Sequence, residues 1–178
     1  TLTSYCSLNM EPLYYRKGAR EGKRYNVDQV FYSYNNGRVQ THTSRKHTDG
    51  HVDSASKAYT SCVYDMLNIF MRARSFKTDT WKNGHVVNFS IVDGNGLTPA
   101  KIQYYGKYYI KGDNGKKYRC LRLSYLEKEK GKFKEIARFY VTDDSNHIPI
   151  RLDMYLRFGS AKAYITQMKG NKTPVKTY

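Results

Sequence analysis

Ile148-Pro-Ile-Arg-Leu-Asp-Met-Tyr-Leu-Arg-Phe158 puts an aliphatic or aromatic residue at every second position. Ile148, Ile150, Leu152, Met154, Leu156 and Phe158 alternate with Pro149, Arg151, Asp153, Tyr155 and Arg157. A repeat of two is the pattern of a β-strand with one dry face and one wet face. Unbroken to Phe158, it reaches roughly 36 Å at ~3.3 Å per residue. The stretch therefore predicts long antiparallel strands around a shared core.

Reading outward, turn residues punctuate strand-like runs on both sides. Upstream, Phe133–Thr142 precedes Asp143-Asp-Ser-Asn146. Lys117–Lys128 turns at Lys130-Gly131, Pro99–Lys111 at Asp113-Asn-Gly115, and Val86–Val92 at Asp93-Gly-Asn-Gly96. Downstream, Gly159 opens a turn into Ser160–Met168. Short turns demand antiparallel neighbours, so this half reads as a meander. At the N-terminal end Leu2–Met10, Leu13–Arg16 and Tyr25–Tyr34 read as strands. Arg20-Glu-Gly-Lys23 is a turn and Asn35-Asn-Gly37 a hairpin signal.

Residues 40–53 are polar and aperiodic and read as a loop or ragged strand end. One helix is expected over Ala55–Arg74, with Asp53 or Ser54 as N-cap. Its stripe would be Tyr59, Cys62, Val63, Met66, Leu67, Ile69, Phe70 and Ala73, lying against a sheet. Lys57, Ser61, Asp65, Asn68 and Arg72 would face the other way. From Lys169 the chain turns polar, and a frayed end is expected. Residues 1–170 thus read as one β-rich domain and 171–178 as a C-terminal tail.

The 178 residues include 31 Lys and Arg against 15 Asp and Glu, a net charge of +16. Such an excess draws anions: nucleic acid, acidic polysaccharide or lipid head groups. The cations are spread from Arg16 to Lys176, which argues against one dedicated nucleic-acid groove. Eighteen Tyr and seven Phe suit pleated, half-buried surfaces. No run approaches the ~18 apolar residues of a membrane-spanning helix. Cys6, Cys62 and Cys120 lack zinc spacing. A Cys62–Cys120 bridge and buried free thiols are both compatible with the sequence.

Asp143, Asp144, Asn146 and His147 form the densest polar cluster. Two adjacent carboxylates can bind a cation, or one can orient His147 as the base of a hydrolase. Turn capping by Asp and Asn accounts for the same residues without chemistry, and is favoured. His42, His47, His51, Asp49 and Asp53 carry metal-ligand atoms, but in no recognised spacing, so no metal and no cofactor is expected. The Tyr pairs 14–15, 104–105 and 108–109 put one ring on each strand face. Tyr105 and Tyr109 become candidate ligand platforms beside Lys101, Lys107 and Lys111. Strand propensity explains these tyrosines equally well. No phosphate loop, dinucleotide fingerprint or nucleophile elbow is present.

Several segments resemble a bacterial family of unknown function, DUF3108. They are Cys62-Val-Tyr-Asp-Met-Leu67 with Ala73-Arg74, Tyr140-Val-Thr-Asp-Asp-Ser-Asn-His-Ile-Pro-Ile-Arg-Leu152, and Phe158-Gly-Ser-Ala-Lys-Ala163. Glu11-Pro-Leu-Tyr14 and Arg20-Glu-Gly22 add to the likeness. Tyr140 stands where the family often has Trp, and His147 where it often has Arg. The resemblance covers about Leu2 to Gly170 and looks closest to exported versions from Bacteroides-like bacteria. It implies a rolled or spiral antiparallel sheet, a β-roll or partly open barrel, with one amphipathic helix packed on it. It also implies a periplasmic or outer-membrane-associated protein, lipoproteins included. Family domains usually start several strands earlier, so the chain looks like the later two-thirds of one. No catalytic residue comes with the likeness. The expectation is an exported, non-enzymatic envelope protein that binds an anionic or amphipathic glycan or lipid. The alternatives are a basic nucleic-acid-binding protein and, less favoured, a hydrolase using Asp143, Asp144 and His147.

Overall fold

The computed structural model describes residues 1–156 and 159–178. Arg157 and Phe158, the end of the alternating stretch, lie outside the described residues. The protein is mainly β, and the described residues form two sheets and one helix, with no closed barrel.

The first sheet has five strands in sequence order: β1 (Leu2–Cys6), β2 (Pro12–Glu21), β3 (Arg24–Asn35), β4 (Arg38–Lys46) and β5 (Val52–Tyr59). The seven-stranded sheet begins with β6 (Val63–Tyr64) and, after helix α1 (Met66–Ala73), continues with β7 (Val86–Asp93) and β8 (Gly96–Lys111). It is completed by β9 (Lys117–Glu129), β10 (Lys132–Thr142), β11 (Pro149–Leu156) and β12 (Gly159–Tyr164). Its order is β12-β11-β10-β9-β8-β7-β6, with β6 parallel to β7. The chain divides into two compact units, Thr1–Ala73 with Phe89–Pro99, and Arg74–Asn88 with Ala100–Tyr178.

The expected meander is present, and its turns have the chemistry the sequence announced. Asn36 and Gly37 take φ of 48° and 72° between paired Asn35 and Arg38, and Lys130 and Gly131 take 48° and 82° between Glu129 and Lys132. Positive φ at both loop residues is the type I′ hairpin, whose twist matches the strands it joins.

Three expectations are corrected. The region 40–59 is not loop followed by helix: it is β4 and β5, paired from Val39↔Tyr59 to Lys46↔Val52. Asp53 and Ser54 sit inside β5, and the helix is cut to Met66–Ala73. The wheel drawn over 55–74 merged two elements, because Tyr59 on the strand and Leu67 on the helix pack against the same cluster. That cluster is Tyr15, Val30, Tyr32, Val39, Val63 and Val92. Asn68, expected outside, is buried beside Ile69, while Cys62 is exposed. The helix does pack on a sheet face, as its amphipathic character required.

Second, the two faces of the alternating stretch are not cleanly divided into wet and dry. Asp153 is 5% exposed while Leu152 and Met154 are only half-buried. Third, the tail is docked: Ile165, Met168 and Val175 pack on the cluster of Ile110, Tyr118, Cys120, Tyr140, Ile148 and Ile150, and the Tyr178 amide donates to Lys117 O at 2.8 Å. Within the segment from Lys169, whose composition reads as solvent-loving, Val175 is the apolar anchor.

The helix cap is Asp65. Its Oδ1 accepts from the amides of Leu67 and Asn68 at 2.9 and 2.8 Å, and Oδ2 from Ser4 Oγ at 2.8 Å. Burial, the largest influence, raises the carboxyl's pKa, while the Asn68, Ser4 and Leu67 bonds pull it down. Between the ordinary value and the raised one, the folded chain holds a proton that the unfolded chain releases. Stability attributable to Asp65 therefore falls as pH rises through that window. Asp65→Asn keeps an acceptor without the buried charge, so urea melts should show it gaining on the parent as pH rises through that window. Asp65→Ala loses the cap and should be less stable by about 1–2 kcal/mol.

All three cysteines are free thiols, so no Cys62–Cys120 bridge exists. Burial pushes the Cys120 thiol up to about 12. An aromatic disulfide reagent should titrate Cys6 and Cys62 in the native protein, and Cys120 only after unfolding.

Candidate functional site

The solvent face of the five-stranded sheet carries one continuous cross-strand row. Antiparallel pairing sets Tyr5 opposite Tyr14, Tyr14 opposite Phe31, Phe31 opposite His42 and His42 opposite Ser56. Alternation sends the residues between them inward: Tyr15, Val30, Tyr32 and Thr41 are buried. Tyr5 and Tyr14 stack with centroids 5.8 Å apart, and Tyr14 tilts against Phe31 at 4.9 Å. Tyr5 is 62% exposed and Phe31 49%, so the rings form a platform and not a core.

Hydrogen-bonding groups border this platform on either side. Gln29 Nε2 donates to Tyr14 Oη at 2.8 Å, and His42 Nδ1 lies 3.0 Å from Ser56 Oγ. One pleat further along, Ser33, Gln40 and Ala58 face each other across three strands. They line a shallow hollow of about 380 Å³ walled by Phe31, His42 and Ser56. Flat rings with polar groups at their margins can hold a flat, hydroxylated ligand: the ring faces take C–H surfaces and the rim takes the hydroxyls.

Sequence reasoning reached this site only in part. The pair Tyr14–Tyr15 splits between the two faces as expected, but Tyr5, Phe31 and His42 were not grouped with it. Their positions show no common spacing along the chain, and only the register collects them. Tyr104–Tyr105 also splits, with Tyr104 buried and Tyr105 half-buried. Tyr108–Tyr109 does not: both rings are exposed. Tyr109 meets Tyr178 edge-on at 5.3 Å, with Lys117 Nζ 5.2 Å from its ring.

The polar turn holds its residues in separate structural roles. Asp143 pairs with Lys107 at 2.9 Å and Arg119 at 2.8 Å. Asp144 Oδ1 accepts from Thr142 Oγ1 and from the Asn146 amide. His147, at φ 45°, has Nδ1 2.9 Å from Arg74 O and Nε2 3.3 Å from Thr78 Oγ1. The imidazole therefore addresses neither carboxylate. Of the five candidate metal ligands, three meet: His47 and His51 each place Nε2 on an oxygen of Asp53, at 2.7 and 3.0 Å. The His47 bond first, then that of His51, lowers the Asp53 pKa. His42 is on the platform, and Asp49 accepts from the His51 amide. Among the described residues no group of three or more His, Cys, Asp or Glu is arranged to hold a metal ion.

Fold and face define a mainly-β protein with an aromatic row on an open sheet surface. The chain belongs to the family described as protein of unknown function (DUF3108), whose model matches residues 1–166. Comparison with curated proteins and with solved structures returns no match. No helix among the described residues is long and apolar enough to cross a membrane.

Asn146 is the staple of the turn. Its Nδ2 donates to Thr173 O and Oγ1, and its Oδ1 accepts from the amides of Lys172 and Thr173. Asn146→Ala should cost about 2–4 kcal/mol, because several partly buried bonds go at once. Hydrogen exchange should quicken at the amides of Lys172 and Thr173.

Proposed function

We propose that this protein is a non-catalytic glycan-binding protein of the bacterial cell envelope. The observation that supports it is the Tyr5–Tyr14–Phe31–His42 row, exposed and bordered by amide and hydroxyl groups. A protein interface also enriches aromatic rings, but around a core depleted in serine and charged side chains. This face instead interleaves rings with Gln29, Ser33, Gln40 and Ser56, which suits a hydroxylated ligand. The net charge of +16 raises the local concentration of acidic polysaccharide, so an anionic glycan fits better than a neutral one. Export is part of the proposal and draws on the family likeness. Fractionation of cells making the full-length gene product tests it, and recovery with cytoplasmic markers would remove it.

Calorimetric titration with an acidic polysaccharide such as polygalacturonate tests the platform. Each stacked ring is worth about 1–3 kcal/mol by analogy with base stacking. Phe31→Ala should therefore weaken binding roughly tenfold or more, with little change in melting temperature because the side chain is exposed. Binding unaffected by Phe31→Ala and Tyr5→Ala, or none to acidic or neutral glycans, would sink the reading. Single-stranded oligonucleotide serves as the competing ligand. Tighter binding there, falling steeply with salt, would favour nucleic acid instead.

A further inference from the structure

The seven-stranded sheet carries a second cross-strand row of different chemistry. Arg122 on β9 stands opposite Tyr140 on β10, Tyr140 opposite Arg151 on β11, and Arg151 opposite Tyr164 on β12. On the other side of Arg122 the register slips. Tyr104 pairs with Leu123 and Lys107 with Leu121, so Tyr105 and Gly106 bulge together opposite Arg122. Gly106 takes φ 98°, a conformation suited to glycine, and the bulge brings the Tyr105 ring to 4.9 Å from the Arg122 guanidinium carbon. Tyr108 approaches the same guanidinium at 5.6 Å, and Arg151 lies 4.3 Å over Tyr140.

The cations of this face are unevenly matched. Arg138 forks onto Glu135 at 3.1 and 2.8 Å, and Arg151 reaches Asp153 Oδ2 at 2.9 Å. Arg122 has rings around it but no carboxylate partner among the described residues. Its Nε is buried without a hydrogen-bond acceptor, as is the Nε of Arg151. Asp153 Oδ1 is buried without a donor on a side chain only 5% exposed overall. Buried polar atoms without partners are rare and costly, and each calls for an explanation. Here two are cationic donors flanking Tyr140 and one is an anionic acceptor one pleat beyond Arg151, all on one face of the sheet. A ligand that satisfies them brings an oxyanion and a hydroxyl together.

We propose that Arg122 is the centre of an oxyanion-binding site for a phosphorylated or carboxylated polyol. The guanidinium, held flat by Tyr105, presents its N–H groups to the phosphate or carboxylate. Asp153 accepts from a ligand hydroxyl, which also selects against bare inorganic ions. The site is independent of the Tyr5–Phe31 platform, and either can fail alone. The oxyanion can sit on a soluble sugar or on a lipid head group, and the two sources are separable by experiment.

Glucose 6-phosphate, glucuronate and inorganic phosphate are titrated calorimetrically into the parent, Arg122→Gln and Arg122→Lys. Vesicles containing phosphatidylglycerol are tested in parallel by sedimentation. Expected is binding of a sugar acid or phosphate, weakened at least tenfold in Arg122→Gln, with Arg122→Lys between the two and Phe31→Ala unaffected. Binding to vesicles alone, lost in Arg122→Gln, supports the site with a lipid as its source. Without ligand, Arg122→Gln should melt no lower than the parent, because it removes a buried donor that lacks an acceptor. Equal binding by parent and Arg122→Gln, or no binding to any of these probes, overturns the proposal. So does a drop in the melting temperature of ligand-free Arg122→Gln without any change in binding, since that marks a purely structural arginine.

Discussion

Arg45 on β4 takes both carboxylate oxygens of Asp28 on β3, at 2.6 and 2.8 Å, and the two residues are direct cross-strand partners. Asp28 is 2% exposed, so its charge is tolerable only with that guanidinium in place. A slip of one residue would turn every side chain of the strand to the opposite face and strand the carboxylate. Breaking a buried pair of this kind costs about 3–5 kcal/mol. The surroundings are built for the pair. Asn95 Oδ1 accepts from Arg45, and the Asp28 carboxylate fills the space where a Cβ on residue 94 would stand, so that position needs glycine. The Asn36-Gly37 turn sets the same register from the hairpin end. Together they decide that Val30 and Tyr32 go inward and hence that Phe31 goes out, and the pairing of β2 with β3 passes the same alternation to Tyr15 and Tyr14.

Much of this was legible in the residues, and the failures have a common physical source. The Asn-Gly and Lys-Gly hairpins, the C-terminal meander and the mainly-β class follow from local rules of backbone conformation and period. The errors cluster where identity is set by pairing. Residues 52–59, Val-Asp-Ser-Ala-Ser-Lys-Ala-Tyr, have no strong local preference, and β4 supplies the ladder that makes them a strand. The true cap, Asp65, is hidden in the sequence because the apolar spacing begins a dozen residues earlier, at positions that belong to β5. Asp153 shows the same limit from the other side. Alternation predicts which residues share a face, but not that a carboxylate on the polar face is buried.

The candidate sites are harder to read than the fold because they are rows across strands. Tyr5, Tyr14, Phe31 and His42 become neighbours through three pairings, each set by a different turn. Arg122, Tyr140, Arg151 and Tyr164 do so through three more, with a bulge adding Tyr105. Segments with conspicuous polar chemistry in the sequence are instead used up internally. In the Thr142–Ile148 turn the polar side chains are taken up by neighbouring backbone and side-chain groups, and the His47–Asp53–His51 group closes on itself. Dense polar sequence marks where the chain must bend, while the two cross-strand rows are assembled from scattered residues.

The same geometry shows why net charge alone is a poor guide to this protein. Many of its carboxylates are already engaged: Asp28 by Arg45, Asp143 by Lys107 and Arg119, Asp153 by Arg151, Glu135 by Arg138, and Asp53 by two imidazoles. What remains toward solvent is a surplus of lysines and arginines spread along the chain. Spread charge gives a long-range pull on any polyanion, screened beyond about 8–10 Å at physiological salt, and no choice among polyanions. Selection must come from short-range shape and hydrogen bonding. Only a few places combine cations or polar groups with ordered rings, and the two rows are among them. Under the binding proposed above, discrimination therefore falls where tyrosines fix the geometry of contact, and not where lysines are most numerous.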